Sequence, residues 1–359
     1  MMESSNPTSP VTIAVIGAGT IGAKHASLIA QSRDAILSTI VDPTVSGQTL
    51  ADLYGARYFQ DIDALLESQD KPSAAIVCTP NSTHIPIAEQ LAAAGIQLLI
   101  EKPISTTYDE GLAFLRTCRE RGTRVGVGHH RRLNPLVAAA KASLVSGSVG
   151  RVVGVSGVWT AMKSQEYFQG IGEWRASSAG GVILINLIHE VDLLQFLVGP
   201  IQRIYAERAP PTRGHEAEEG VAVPFRFQNG TVGTFLALDN AASPFNIENG
   251  TGENQELYPF IGQDCYRIFG QKGALSIPDN VLWTYEEHEK GRHSQMKRDS
   301  LRAEQNDAYE RQLQNFIAVV RREQEPSCSG EAGLSAVAVC EAIKRSIQTG
   351  NATDVEGNC

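Results

Sequence analysis

Residues 11–22 read Val-Thr-Ile-Ala-Val-Ile-Gly-Ala-Gly-Thr-Ile-Gly, a short β-branched apolar run that breaks on glycine and passes into a helix-like pattern. A six-residue apolar run of this kind suits a strand buried on both faces of a parallel sheet. Gly17, Gly19 and Gly22 follow it at G-x-G-x-x-G spacing. At that spacing the first glycine makes the tight turn and the second lets a pyrophosphate approach the backbone. The third allows the helix to pack closely on the strand. The helix start offers free N–H groups and a partial positive charge to phosphates. Gly17, Gly19, Thr20, Ile21 and Gly22 are therefore expected to hold a dinucleotide.

A second apolar run, residues 35–41, ends in Asp42, 20 residues beyond Gly22. A carboxylate at the tip of the second strand can accept hydrogen bonds from the adenosine ribose hydroxyls and would repel a 2′-phosphate. This favours NAD over NADP. The competing reading makes Asp42 a turn residue before Pro43.

The chain has 359 residues, enough for two domains, with 42% hydrophobic and 20% charged residues. A net charge of −9 argues against nucleic acid or an anionic membrane as the main partner. Residues 1–10 read as a short, polar, disordered tail without a secretory leader, and no apolar run is long enough to span a bilayer. A cytoplasmic location follows as an expectation. The six cysteines are scattered without a C-x-x-C pair and are expected to stay reduced. The histidines show no metal-ligand spacing, so no metal is expected.

From residue 11 to residue 128 strand-like and helix-like segments alternate, which implies a parallel sheet with helices on both faces. Residues 129–350 carry mostly strand-like segments, with a hairpin signal at Asn229-Gly230, and imply an α+β domain with a mostly antiparallel sheet. Residues 243–256, rich in glycine and asparagine, read as a loop, and 351–359 as a tail. The fold class expected is thus an α/β Rossmann domain followed by an α+β domain.

Glu101-Lys102-Pro103 follows the strand at 97–100. A lysine at a strand's carboxyl end in such a sheet sits where ligands bind, although this tripeptide by itself is commonly a solvated turn. Combined with Gly17–Gly22, with Cys78-Thr-Pro-Asn-Ser-Thr-His84 and with the stretch from Gly180 to Asp192, it resembles the Gfo/Idh/MocA oxidoreductases. The resemblance covers about residues 11–348. It implies NAD(P)-dependent oxidation or reduction of a sugar, cyclitol or related polyol, and pairing of chains through the outer face of the second sheet into a homodimer or homotetramer. It further implies that Lys102 acts near the transferred hydride. Thr79, Pro80, Asn81, His84 and Glu101 are implied to line the nicotinamide half of the cofactor site. Thr79–Asn81 also fit a turn that caps the next helix through Ser82 or Asn81.

His189 is the best general acid/base in the chain, its ordinary pKa lying near neutrality. Asn186, three residues earlier, shares a helix face with it, and Asp192 is expected to orient His189 or cap local structure. Relatives carry an Asp where this chain has Ile185, so Lys102 and His189 share the acid/base work and Asn186 positions substrate. The same departure leaves open a cofactor-bound sensor without turnover. In Gly128-His-His-Arg-Arg-Leu-Asn-Pro135, His130, Arg131 and Asn134 are candidate substrate contacts. Arg131 could grip a carboxylate bidentately, which would suit an acidic cyclic diol or hydroxy acid. The alternatives are salt bridging between domains by Arg131 and Arg132 and helix capping by Asn134. Trp159, Trp174 and Arg175 are expected either to wall the substrate site or to pack in the core.

Overall fold

The computed structural model describes residues 9–178, 180–286, 291, 293–304 and 306–357. Most of the tail expected at residues 1–10 lies outside these, as do His288 and Cys359. The chain divides into two compact units, Met1–His130 with Tyr309–Leu334, and Arg131–Ala308 with Ser335–Cys359.

In the first unit the elements run β1 (Val11–Ile16), α1 (Thr20–Gln31), β2 (Ala35–Val41), α2 (Val45–Tyr54), β3 (Arg57–Phe59), α3 (Ile62–Glu67), β4 (Ala74–Val77), α4 (His84–Ala93), β5 (Gln97–Ile100), α5 (Tyr108–Arg121) and β6 (Val125–Val127). The six strands form one sheet in the order β3-β2-β1-β4-β5-β6. Every pair in it is parallel. That order reverses direction between β1 and β4, and the crevice at such a switch point is where dinucleotides lie. Helix boundaries follow local chemistry. Asp61 caps α3 by accepting from Ala64 N at 2.9 Å, and Thr107 caps α5 by accepting from Glu110 N at 3.3 Å. Gly122, at φ +69°, ends α5 in the left-handed conformation.

The second unit contains α6 (Pro135–Val145), β7 (Val152–Thr160), a π-helical turn over Ile183–Leu187, α7 (Ile188–Val198), β8 (Ile201–Ile204), β9 (Glu207–Arg208), β10 (Gly220–Phe227), β11 (Val232–Leu238), α8 (Ile247–Thr251), β12 (Tyr266–Gly270), β13 (Gly273–Ile277), β14 (Val281–Tyr285) and β15 (Met296–Ser300). The chain then forms α9 (Ala308–Val320), α10 (Gly330–Thr349) and β16 (Thr353–Asp354). The strands make one open sheet in the order β15-β14-β13-β12-β7-β11-β10-β8-β16, with β9 beside β10. All pairs are antiparallel except β7 with β11. Alternation along β10 buries Val221, Val223, Phe225 and Phe227 on one face and exposes the residues between them. Gly230, at φ +86°, turns the expected hairpin between β10 and β11.

Three expectations about organisation need correction. Within residues 129–350, Tyr309–Leu334 cluster with the first unit. Leu313, Phe316 and Ile317 of α9 pack in the first unit's core with Ile13, Val15, Ile40 and Ile76. Cys328 O accepts from Val127 N at 2.9 Å, which covers the β6 edge. Residues 351–359 are not merely a tail, because β16 pairs with β8 and buries Val355. Residues 243–256 contain α8, capped by Asn246, whose Oδ1 accepts from Asn249 N at 2.8 Å.

Candidate functional site

At the β1–α1 turn Gly17 holds φ +96°, and a Cβ there would stand 2.8 Å from Cys78 O. A Cβ on Gly22 would lie 1.9 Å from Gly17 O, so helix and strand meet at a distance only glycine allows. A Cβ on Gly19, by contrast, would meet nothing within 4 Å. Gly19 is the N-cap of α1, no side chain caps that end, and the first turn carries no acidic residue. Open space, uncapped helix N–H groups and the positive end of the helix fit a pyrophosphate. Gly19 and Thr20 are exposed there, and Ile21 is half-buried.

Asp42 stands beside this turn. Its Oδ2 accepts from Ala18 N at 2.7 Å, and its Oδ1 accepts from Thr44 N at 2.8 Å and from the Thr44 hydroxyl. These contacts are the turn role drawn from the sequence. Asp42 orders its own turn and fastens the glycine loop to β2. An ionised carboxylate accepts at about four positions, so these three contacts do not exhaust it.

Glu101 follows β5 and is buried. Its Oε1 lies 3.0 Å from His25 Nε2, on the buried side of α1. Burial alone would raise this carboxyl. The hydrogen bond and charge of His25, then the charges of His130 and Lys102, outweigh it and hold Glu101 below the usual carboxylate range. Lys102 is half-buried beside it, and its backbone N donates to Glu101 Oε2 at 3.3 Å. Around them His130 stacks on Tyr309 with centroids 4.0 Å apart, and Lys24 Nζ lies 3.9 Å from that ring's centre. His130, read from the sequence as a substrate contact, is thus a buried member of the first unit packed on α9.

His84 was expected beside the nicotinamide. Instead Nδ1 lies 2.7 Å from Pro103 O and Nε2 lies 2.8 Å from Thr79 O. Burial draws its pKa below the ordinary value against the opposing pull of those two carbonyls. A neutral imidazole donates to only one of these two carbonyls, and its position between them sets His84 against both the turn after β4 and the turn after β5. Thr79 and Asn81 are half-buried and Pro80 is exposed. Neither Asn81 nor Ser82 caps the helix behind them.

In the second unit Asn186 lies in the π turn and His189 in the first turn of α7, both mostly buried. Such turns recur at functional sites. Asn186 Oδ1 accepts from Lys163 Nζ at 2.6 Å. Ile185 is half-buried in the same turn. Asp192 Oδ1 and Oδ2 accept from Arg132 at 2.6 and 2.9 Å, so this arginine pairs within its own unit.

Arg131 is the clearest departure from the sequence reading. Its Nε, Nη1 and Nη2 donate to Glu253 at 2.8 Å, Glu190 at 2.5 Å and Glu248 at 2.5 Å, and the guanidinium is buried. No fork remains for a substrate carboxylate, and the support Arg131 lent to an acidic substrate falls away. Asn134 likewise caps α6, accepting from Leu136 N at 3.0 Å, while its Nδ2 reaches Glu253 Oε2 at 3.4 Å. Trp159 is fully buried with Nε1 donating to Glu248 Oε2 at 2.9 Å, a core residue rather than a wall. Trp174 remains 43% exposed, with the Arg175 guanidinium 5.4 Å from its ring. Among the described residues no group of three or more His, Cys, Asp or Glu side chains could hold a metal ion.

His25, Tyr309, Lys163 and the Arg131 glutamates escaped the sequence reading. Only His25 carried a local signal, three residues beyond Gly22 and hence one helical turn from it.

A glycine turn with an open phosphate cradle, and an aspartate closing it from the second strand, define a dinucleotide-binding α/β oxidoreductase scaffold. The family models agree. Residues 11–129 match the oxidoreductase family, NAD-binding Rossmann fold, and residues 141–355 match its C-terminal alpha/beta domain, so the chain belongs to the Gfo/Idh/MocA oxidoreductase family. It is 28% identical over 356 residues to inositol 2-dehydrogenase 2 of Saccharopolyspora erythraea, covering 96% of each chain. It is 24% identical to inositol 2-dehydrogenase of Rhizobium meliloti, over 94% of this chain and 97% of that one. Among solved structures, the WlbA dehydrogenase of Bordetella pertussis in complex with NADH and UDP-GlcNAcA superposes with a TM-score of 0.77 at 25% identity, covering 96% of this chain and 98% of that one. No helix among the described residues is long and apolar enough to cross a membrane.

Proposed function

We propose that this protein is an NAD-dependent dehydrogenase acting on a secondary alcohol of a polyhydroxylated small molecule such as a sugar or cyclitol. The observation that carries the reading is the uncapped, unobstructed start of α1 at Gly19 beside Asp42, in a chain whose two parts both match this oxidoreductase family. The inositol 2-dehydrogenases among its relatives favour the same substrate class. Gly17, Gly19, Thr20, Ile21 and Gly22 would hold the pyrophosphate and Asp42 the ribose. Thr79, Pro80 and Asn81 would lie toward the nicotinamide, with Glu101 behind Lys102. When bound, NAD supplies the acceptor for the hydride leaving the carbinol carbon. The residues' own task is then to hold the substrate hydroxyl and take its proton, with Lys102 and His189 as acid/base groups and Asn186 as a donor to a neighbouring oxygen. The purified protein is expected to bind NAD and to reduce it when a polyol from a panel of inositols and sugars is added. NAD binding with no NADH absorbance from any of them would defeat the dehydrogenase reading.

A homo-oligomer in the cytoplasm completes this reading. The register places Val232, Phe269 and Trp283 in one row across the outer face of the second unit's sheet, where all three are exposed. The row borders a depression of about 580 Å³ that includes Pro224, Val232 and Phe269. Exposed apolar patches of this kind mark association surfaces. A dimer or tetramer mass in sedimentation is expected, and a monomer at all concentrations would remove this part.

A further inference from the structure

Lys163, three residues beyond the end of β7, has only 8% of its surface exposed. Burying an ammonium is costly unless it is well partnered. The obvious partner, Asp239, is taken first by Arg213, whose Nη1 lies 2.6 Å from Asp239 Oδ1, while Lys163 Nζ is 3.4 Å from Oδ2. The shortest contact of Lys163 is instead the neutral amide of Asn186, at 2.6 Å. The aromatic faces of Tyr167 and Trp159 lie 4.7 and 5.6 Å from Nζ. A lysine placed for an ion pair alone would sit on the carboxylate.

The contact has a chemical consequence. An ammonium only donates, so the atom it meets must be Oδ1, and the Asn186 Nδ2 is thereby turned away as a donor. Lys163 retains donor capacity of its own. Both side chains keep N–H groups that an oxygen acceptor could use, one turn of chain from His189 and beside Ile185. Lys163 and Arg213 face Asp239 and Glu219, and the charge of Glu248 also acts on Lys163. This suits a neutral hydroxylated ligand better than an anion.

We propose that Lys163 is a substrate-contacting residue of this same site, which locks the Asn186 amide with Nδ2 outward and donates its own hydrogen bond to a hydroxyl oxygen of the polyol. The inference rests on the dehydrogenase reading for its substrate, and it deepens that reading by supplying a second amine beside Asn186. Burial lowers the Lys163 pKa to about 8; the charge and hydrogen bond of Asp239 oppose this, Arg213 adds to it and Glu248 opposes it. The amine therefore loses its proton just above neutral pH.

The test follows the side-chain amide of Asn186 by NMR in ¹⁵N-labelled full-length protein, the signal being assigned by its loss in Asn186→Ala. It is expected to move with pH about a midpoint near 8 and to move again when a polyol of the panel is added. Lys163→Met should abolish the pH response and lower kcat/KM by roughly 10–100-fold, the worth of a charged hydrogen bond, and Lys163→Arg should recover part of it. NAD affinity serves as the control for folding. An amide signal unmoved by pH and by every polyol overturns the proposal, as does a Lys163→Met enzyme with the wild-type kcat/KM and pH profile. Should wild-type protein oxidise no polyol, the dehydrogenase reading falls, while the two amide titrations still decide for or against Lys163.

Discussion

Lys102→Met is expected to lower turnover by roughly 10²–10⁴-fold, the usual worth of acid/base assistance, while NAD binding changes little. The reasoning begins with position. Lys102 is two residues beyond Ile100, the last residue of β5, at the rim where parallel sheets bind ligands. Its neighbour Glu101 is held in place by His25 at 3.0 Å and kept below the usual carboxylate range chiefly by that contact working against burial. Methionine is similar in length and apolar, so the substitution removes the amine and keeps most of the volume. Isothermal titration with NAD separates binding from chemistry, and steady-state turnover on the polyol found for the wild type reads the loss. An unchanged kcat would remove Lys102 from the reaction. A loss confined to NAD affinity would make it a cofactor residue only.

Much of the first unit is legible because its signals are local. β1 and β2 begin and end where the apolar runs do, since buried parallel strands are continuous hydrophobic segments. The glycine turn is equally readable, because its geometry is dictated by residues five apart. The strands of the second unit are legible by alternation, as in β10 and β11, but β15 is not. Its residues, Met296–Ser300, are mostly charged or polar, as suits an edge strand protected from pairing with other chains. The return of α9 to the first unit is invisible for another reason: an amphipathic stripe says that a helix packs, not on which core.

The site divides the same way. Gly19 and Asp42 are readable from spacing. Lys163 is not, because nothing nearby in sequence marks it, and its burial comes from residues 186 and 239. The partners of Arg131 were hidden differently. Glu248 and Glu253 lie in a stretch whose glycines and asparagines read as a loop, and the short helix α8 inside it depends on the Asn246 cap. Arg131 therefore read as open to a substrate carboxylate as much as to a salt bridge, when its guanidinium is buried against carboxylates of the second unit.

That cluster sets up the largest expected effect on stability. Arg131→Met should destabilise the second unit by about 3–5 kcal/mol, the cost of leaving buried charge without its partner. At about 2–4 °C per kcal/mol for a unit of this size, Tm should fall by roughly 6–20 °C. Three glutamates share the one guanidinium, so the cluster is already short of positive charge. Glu190 is fully buried, and its Oε2 has no hydrogen-bond partner among the described residues. Burial pushes it up to about 8; Arg131 opposes this, and Glu248 and Glu253 add to it. Its folded-state pKa therefore lies above the unfolded value, near 4.3. Between those two values the folded chain binds the extra proton, so this residue's contribution to stability declines as pH rises from about 4 to 8. Glu190→Gln keeps the shape and removes the titration. It should already melt above wild type at pH 6 and further above it at pH 9, whereas Arg131→Met should lose stability at both. Calorimetric melts of the three proteins at the two pH values decide the matter. If Arg131→Met unfolds within about 2 °C of wild type, the guanidinium is not what holds these carboxylates in the core.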